Sequence, residues 1–168
     1  MRSACASRKA GGKPPVGERQ FLGCRLDKGG SLGIAPKSIA RAKDRLRKIT
    51  RRNRGIPLAR MIEEANGFVT GWVTHFRHAR CHSVLRDLDG WLRRKLRCVR
   101  LKQCKRAKTI AAFLQDNGAG GRRAWTTAAP GKGWWRMAHT PAAQEAMSIA
   151  WFASQGLVTL AAHHAALN

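Results

Sequence analysis

The sequence predicts a mainly α fold, a bundle of helices preceded by one short β-hairpin. Three observations carry that expectation. Apolar residues recur at helical steps of three and four through most of the chain after residue 36. Clusters of Gly and Pro cut those stripes into separate segments. Ahead of them, two short apolar runs flank a Gly-containing turn, the pattern of a hairpin.

Residues 1–19 are rich in Arg, Lys, Gly, Pro and Ser, lack apolar periodicity, and read as a disordered lead-in. The runs QFLGCRL at 20–26 and SLGIA at 31–35 give the hairpin strands, and Pro36 stands where a helix can start. Over 37–53, Ile39, Ala42, Leu46 and Ile49 form one apolar stripe, which Gly55 and Pro57 end. Residues 58–78 make the strongest helix. Leu58, Met61, Ile62, Ala65, Phe68, Val69, Trp72, Val73 and Phe76 all fall on one side of it. Gly67 and Gly71 lie on the other side and leave room for a close neighbour. A helix over 84–104 carries the stripe Leu85, Leu88, Leu92, Leu96 and Val99, with Arg86, Arg93, Arg97 and Arg100 projecting from roughly the opposite face. Shorter helices over 109–115 and 122–128 follow, and one amphipathic helix over 141–155 closes the bundle before Gly156.

Charge narrows the function. The chain has 33 Lys+Arg against 9 Asp+Glu, a formal net charge of +24. Such a surface repels itself unless a polyanion screens it, which leaves nucleic acid or an anionic membrane as partner. The charge is also segregated. Residues 37–54 hold nine basic side chains against Asp44, and 86–108 hold ten against Asp87 and Asp89, whereas from 124 onward only Lys132, Arg136 and Glu145 are charged. A shaped binding face explains that distribution better than a diffuse coat does. The Arg fork suits phosphate oxygens, and A-form RNA is read through backbone and shape, so an Arg-rich helix can bind it without a base code. The candidate RNA-binding residues are Arg45, Lys48, Arg51, Arg52, Arg54, Arg86, Arg93, Arg94, Arg97, Arg100, Lys102, Lys105, Arg106 and Arg136.

Other function classes find little support. No run approaches the ~20 apolar residues that span a bilayer. The basic N-terminus lacks the apolar core of a signal peptide, so no membrane partner and a cytoplasmic location are expected. Five cysteines, with no CxxC pair, read as reduced thiols. His75, His78, Cys81 and His82 cluster, but no second pair has finger spacing, so no metal is assigned. There is no Walker loop, GxSxG or HExxH, and neither Glu63–Glu64 nor Asp87 with Asp89 forms a two-metal site. No catalytic residue and no cofactor are therefore expected. Asp89, beside the apolar stripe, is expected to accept hydrogen bonds from a nearby Arg. Trp125, Trp134, Trp135 and Trp151 serve either as packing anchors or as stacking platforms for unpaired bases.

Several motifs, in order, resemble one family. FLG at 21–23 resembles the hairpin where the palm of group II intron reverse transcriptases passes into the thumb, and LRKITRRNRG at 46–55 resembles the thumb segment after it. GWVTHF at 71–76, LRDLDGWLRRKLR at 85–97 and KQCK at 102–105 resemble the signatures of the maturase-specific region; GWWRM at 133–137 and QGL at 155–157 resemble its end. The resemblance implies a palm-end hairpin and thumb helix over 20–56 and a maturase-specific helical domain over 57–168. It implies group II intron RNA as partner, bound to promote folding and splicing. His75 stands where the family has Tyr, and Cys104 where it has Trp. Nothing in the sequence matches the family's fingers and palm with their paired aspartates, nor its Cys-rich endonuclease. The expectation is therefore a truncated intron-encoded protein, not an enzyme on its own. The alternatives are the C-terminal part of a split polymerase that docks to a separate reverse transcriptase palm chain, and a generic basic RNA-binding remnant.

Overall fold

A computed structural model describes residues 20–21, 23–26, 30–131 and 133–168. The expected lead-in over 1–19 and the turn at 27–29 lie outside the described residues. Nine helices are present among the described residues, so the fold is mainly α.

The hairpin differs from expectation in one respect. Three strands form an antiparallel sheet in the order β1 (Gln20–Phe21), β2 (Cys24–Leu26), β3 (Leu32–Ile34). The run read as one strand over 20–26 is interrupted at Gly23, whose φ is +82°, open only to residues without a Cβ penalty. A side chain there would also lie 2.7 Å from the Ser38 hydroxyl. That hydroxyl and the Ala35 N–H both donate to the Gly23 carbonyl, at 3.0 and 2.9 Å, and so tie the turn to the first helix.

Helix α1 (Pro36–Ile49) buries Ala42, Leu46 and Ile49, with Pro in its first turn. It stops where the Thr50 hydroxyl turns back to donate to the Leu46 carbonyl at 2.7 Å. Helix α2 (Leu58–His75) buries Leu58, Met61, Ile62, Ala65, Val69 and Val73, as its stripe predicts, while Phe68 and Trp72 are half-buried. Gly67 and Gly71 face open space, so no close neighbour among the described residues uses their smallness.

Helix α3 (His82–Gln103) is the centre of the molecule. It packs on α1 and α2, and also on elements from the end of the chain, α6 (Trp134–Met137) and α9 (Leu160–Ala166). Leu85, Leu88, Leu92, Leu96 and Val99 are all essentially inaccessible. Each fully buried aliphatic side chain contributes about 1.5–3 kcal/mol. Leu101 and Cys98 are buried too, so α3 is covered on more sides than one apolar stripe implies. At its C-terminus Lys105 adopts φ +61°, the left-handed position usually given to Gly. Lys105→Gly is therefore expected to raise stability by about 1 kcal/mol, read as a higher denaturant midpoint. An unchanged midpoint would mean that the strain is relieved elsewhere.

Helices α4 (Ala107–Asp116) and α5 (Gly121–Ala128) pack together and onto α7 (Pro141–Ala146). The single helix expected over 141–155 is two: α7 and α8 (Ile149–Ser154). The break has a local cause. Ser148 caps α8 by accepting from the Trp151 N–H at 3.2 Å, as Thr140 caps α7 from Ala143 at 3.4 Å. The Met147 carbonyl between them is held by Arg97. Neither α6 nor α9 is expected from periodicity; both are too short to show one. One continuous apolar cluster links all of these elements, from Ile34 to Ala161.

Candidate nucleic-acid interface

The two basic segments meet. Arg47, near the end of α1, lies beside Trp91 in the middle of α3, and the turn after α1 is pinned at the C-terminal end of α3 by the Lys102 ammonium, which donates to the Arg52 carbonyl at 3.2 Å and to Asn53 Oδ1 at 2.9 Å. Gln103 adds a bond from its side-chain amide to the Ile56 carbonyl at 3.1 Å. The Arg54 guanidinium closes the same turn, donating to both Glu64 carboxylate oxygens at 2.7 and 3.0 Å and to the Ile49 carbonyl at 2.9 Å. Arg54 and Lys102, both expected as RNA-binding residues, are thus committed to shaping the turn that presents Arg51 and Arg52.

On the face so formed, cations and indole rings alternate. The Arg47 guanidinium lies 5.6 Å from the Trp91 ring centre, and the Lys95 ammonium bridges Trp91 at 5.6 Å and Trp135 at 5.1 Å. Arg94 stacks on Trp135 at 4.0 Å and donates to its carbonyl at 3.1 and 2.9 Å. Cation–π contacts of this kind contribute ~0.5–1 kcal/mol each where exposed. They also hold long side chains in place. Burial pushes the Lys95 ammonium below its usual range, Cys98 opposes that shift, and the charges of Arg47 and Arg52 add to it. Like charges are gathered here, and the one carboxylate on α1, Asp44, is paired with Arg47.

Beside this ladder a groove of about 760 Å³ runs between α3, α6 and the start of α8. Trp91, Arg93, Arg94, Trp135 and His139 line it together with the buried Arg97, and no carboxylate among the described residues stands on its walls. A second groove of about 450 Å³, lined by Ser83, Arg86 and Asp87 among others, shares Arg93 with the first. Arg93 has no hydrogen-bond partner among the described residues.

Arg97 departs from the expected exposed Arg face. It is 8% accessible, and its guanidinium donates twice to the Met147 carbonyl, at 3.0 and 2.7 Å. It caps the C-terminal end of α7, where carbonyls lack partners and a cation is favoured. Burial, with Arg93 adding to it and Cys98 opposing, pushes its pKa down to about 10, so it remains charged at neutral pH. Arg100 is half-buried over the Phe113 ring at 4.4 Å. Cys104 is buried at the C-cap of α3 and offers no place on the surface for a stacking side chain. Arg45, Lys48, Arg51, Arg52, Arg86, Lys105, Arg106 and Arg136 are exposed. Sequence reasoning missed Arg47, Lys95 and Trp91 as a group. The spacing of Trp91 and Lys95, one helical turn apart, was the available signal.

Asp89 also differs from expectation. It is 4% accessible and accepts from backbone N–H groups, Leu160 to Oδ1 at 2.9 Å and Ala161 to Oδ2 at 3.1 Å. Its partner is the first turn of α9, not an Arg. Among the described residues no group of His, Cys, Asp and Glu is placed to hold a metal, and His78 accepts from the Arg77 guanidinium at 2.9 Å. Cys24, Cys81, Cys98 and Cys104 are free thiols. No described helix is long and apolar enough to cross a membrane.

Residues 39–116, from α1 to the end of α4, match the family model described as the group II intron, maturase-specific domain. No curated protein matches the chain.

Proposed function

We propose that this chain, whose residues 39–116 match the group II intron maturase-specific domain, binds group II intron RNA and assists the folding and splicing of that RNA. It acts by binding, without catalysis of its own. The observation that best supports this reading is the convergence of the two basic segments on one face, where Arg47, Arg52, Lys95 and Arg94 stand among Trp91 and Trp135. Rigid cations on a shaped face fit the backbone of a folded RNA, which is recognised through phosphate positions and shape. A diffuse coat would neither pin the Arg51–Arg52 turn from α3 nor place two indoles between the charges.

The experiment is a filter-binding titration of the whole chain on a group II intron RNA over a range of salt, with bulk tRNA as competitor. If about six to eight phosphates are neutralised, the log–log slope is expected to fall roughly between −4 and −7. A slope near zero would mean that the charge is decorative. Equal competition by tRNA, mass for mass, would reduce the reading to generic RNA binding.

A further inference from the structure

We propose that the groove between α3, α6 and α8 is a stacking site for unpaired nucleotides, with the Trp135 indole as its platform. This rests on the RNA-binding reading and adds the class of RNA that the groove selects. Trp135 is 40% exposed, although Trp134 beside it packs against the core. Its ring is held by the Arg94 guanidinium at 4.0 Å and its carbonyl by the same side chain, so the indole is fixed before any ligand arrives. A fixed ring that keeps an open surface loses little freedom on binding.

The rest of the groove suits a nucleotide. Trp91 and Ile149 also line it, and Ile149, at 61% exposed, is the most accessible large apolar side chain among the described residues. Arg93 and His139 supply polar groups at the walls, and no carboxylate among the described residues lines the groove. At about 760 Å³ it falls within the range of small-molecule sites. Apolar rings beside Arg93 and Arg94, neither in an ion pair among the described residues, complement a base with its phosphate. An A-form duplex cannot enter, because its bases are stacked and its major groove is too narrow for side chains. The stretch of RNA that fits is a loop, bulge or junction strand whose bases are free.

The test uses the whole chain with two probes, a single-stranded oligoadenylate carrying 2-aminopurine and an A-form RNA duplex of equal length. Wild type is expected to bind both and to quench the 2-aminopurine. Trp135→Ala is expected to bind the single strand about 5- to 150-fold more weakly, from the stacking of one base, while duplex binding, which loses only the ring that steadies Arg94 and Lys95, falls by a smaller factor. Trp135→Phe should recover most of the loss, which a defect in folding would not allow. Circular dichroism reports on the fold of each variant. Equal loss on both probes, or no loss on the single strand, would overturn the stacking site while leaving RNA binding standing. Failure of wild type to bind either probe would overturn the RNA-binding reading itself.

Discussion

Replacing Asp89 with Ala is expected to release α9 from the bundle. Among the described residues the carboxylate is the only side chain that meets the first N–H donors of this helix, since Thr159 at the N-cap gives no side-chain hydrogen bond. Each buried donor left without a partner costs about 1–3 kcal/mol, so the two together cost about 2–6 kcal/mol in the docked state. A helix of seven residues has little stability alone. The escape route is local unfolding, which exposes Leu160 and uncovers one flank of α2 and α3. Hydrogen exchange should show the amides of Leu160–Ala166 losing protection while those of α2 keep most of theirs. Full protection of α9 in a folded Asp89→Ala variant would show that Asp89 is not its anchor.

The same group predicts a sign for pH dependence. Burial raises the Asp89 carboxyl above its ordinary range, while the N–H groups of Leu160 and Ala161 and the charge of Arg93 pull it back. The folded state then binds more protons than the unfolded state between the ordinary and the raised value. The contribution of Asp89 therefore becomes more favourable as pH falls through that window, and the full cost of a buried charge is present above it. Glu64 behaves oppositely. Its hydrogen bond to Arg54 lowers its pKa, so its contribution is lost as the solution becomes acid. The stability of wild type relative to Asp89→Asn is expected to rise as pH is lowered.

What is legible in the sequence follows from length. Helices α1, α2 and α3 run 14, 18 and 22 residues, long enough for an apolar stripe to repeat, and their core positions can be read from it. The elements after residue 130 span 4 to 7 residues each. A stripe cannot repeat over one turn, so α6 and α9 leave no periodic signal and the break at Met147–Ser148 is hidden inside a longer apparent helix. The candidate site is partly illegible for the same reason. On an isolated wheel, Arg97 lies opposite the Leu stripe and reads as exposed. What buries it is the short C-terminal helices, whose Met147 carbonyl takes its guanidinium. Conversely, Arg47 and Lys95 belong to different basic segments, and only packing shows that they share Trp91.

The second large effect concerns that shared face. Arg47→Gln, Arg52→Gln and Lys95→Gln combined should leave the chain folded: Arg47 and Arg52 are exposed, where changes usually stay within about 0.5 kcal/mol each, and half-buried Lys95 gives up two cation–π contacts of ~0.5–1 kcal/mol each. RNA affinity at low salt should fall by about a hundredfold to a thousandfold, at roughly 1–1.4 kcal/mol for each solvent-screened contact to phosphate, within the net range of an ordinary hydrogen bond. The salt slope should flatten by about three units, one for each phosphate that is no longer engaged. A control with the same change in charge is Lys37, Arg77 and Arg80 to Gln. These exposed cations sit around the start of α1 and the α2–α3 turn, at the opposite end of the bundle from the turn that Lys102 pins. The decisive measurement is the salt slope of intron RNA binding for the two triple variants side by side. It should flatten by about three units for Arg47, Arg52 and Lys95 and by less than about one for the control. Equal flattening in both would make the charge a diffuse coat, and an unchanged slope in the first would move the RNA off this face.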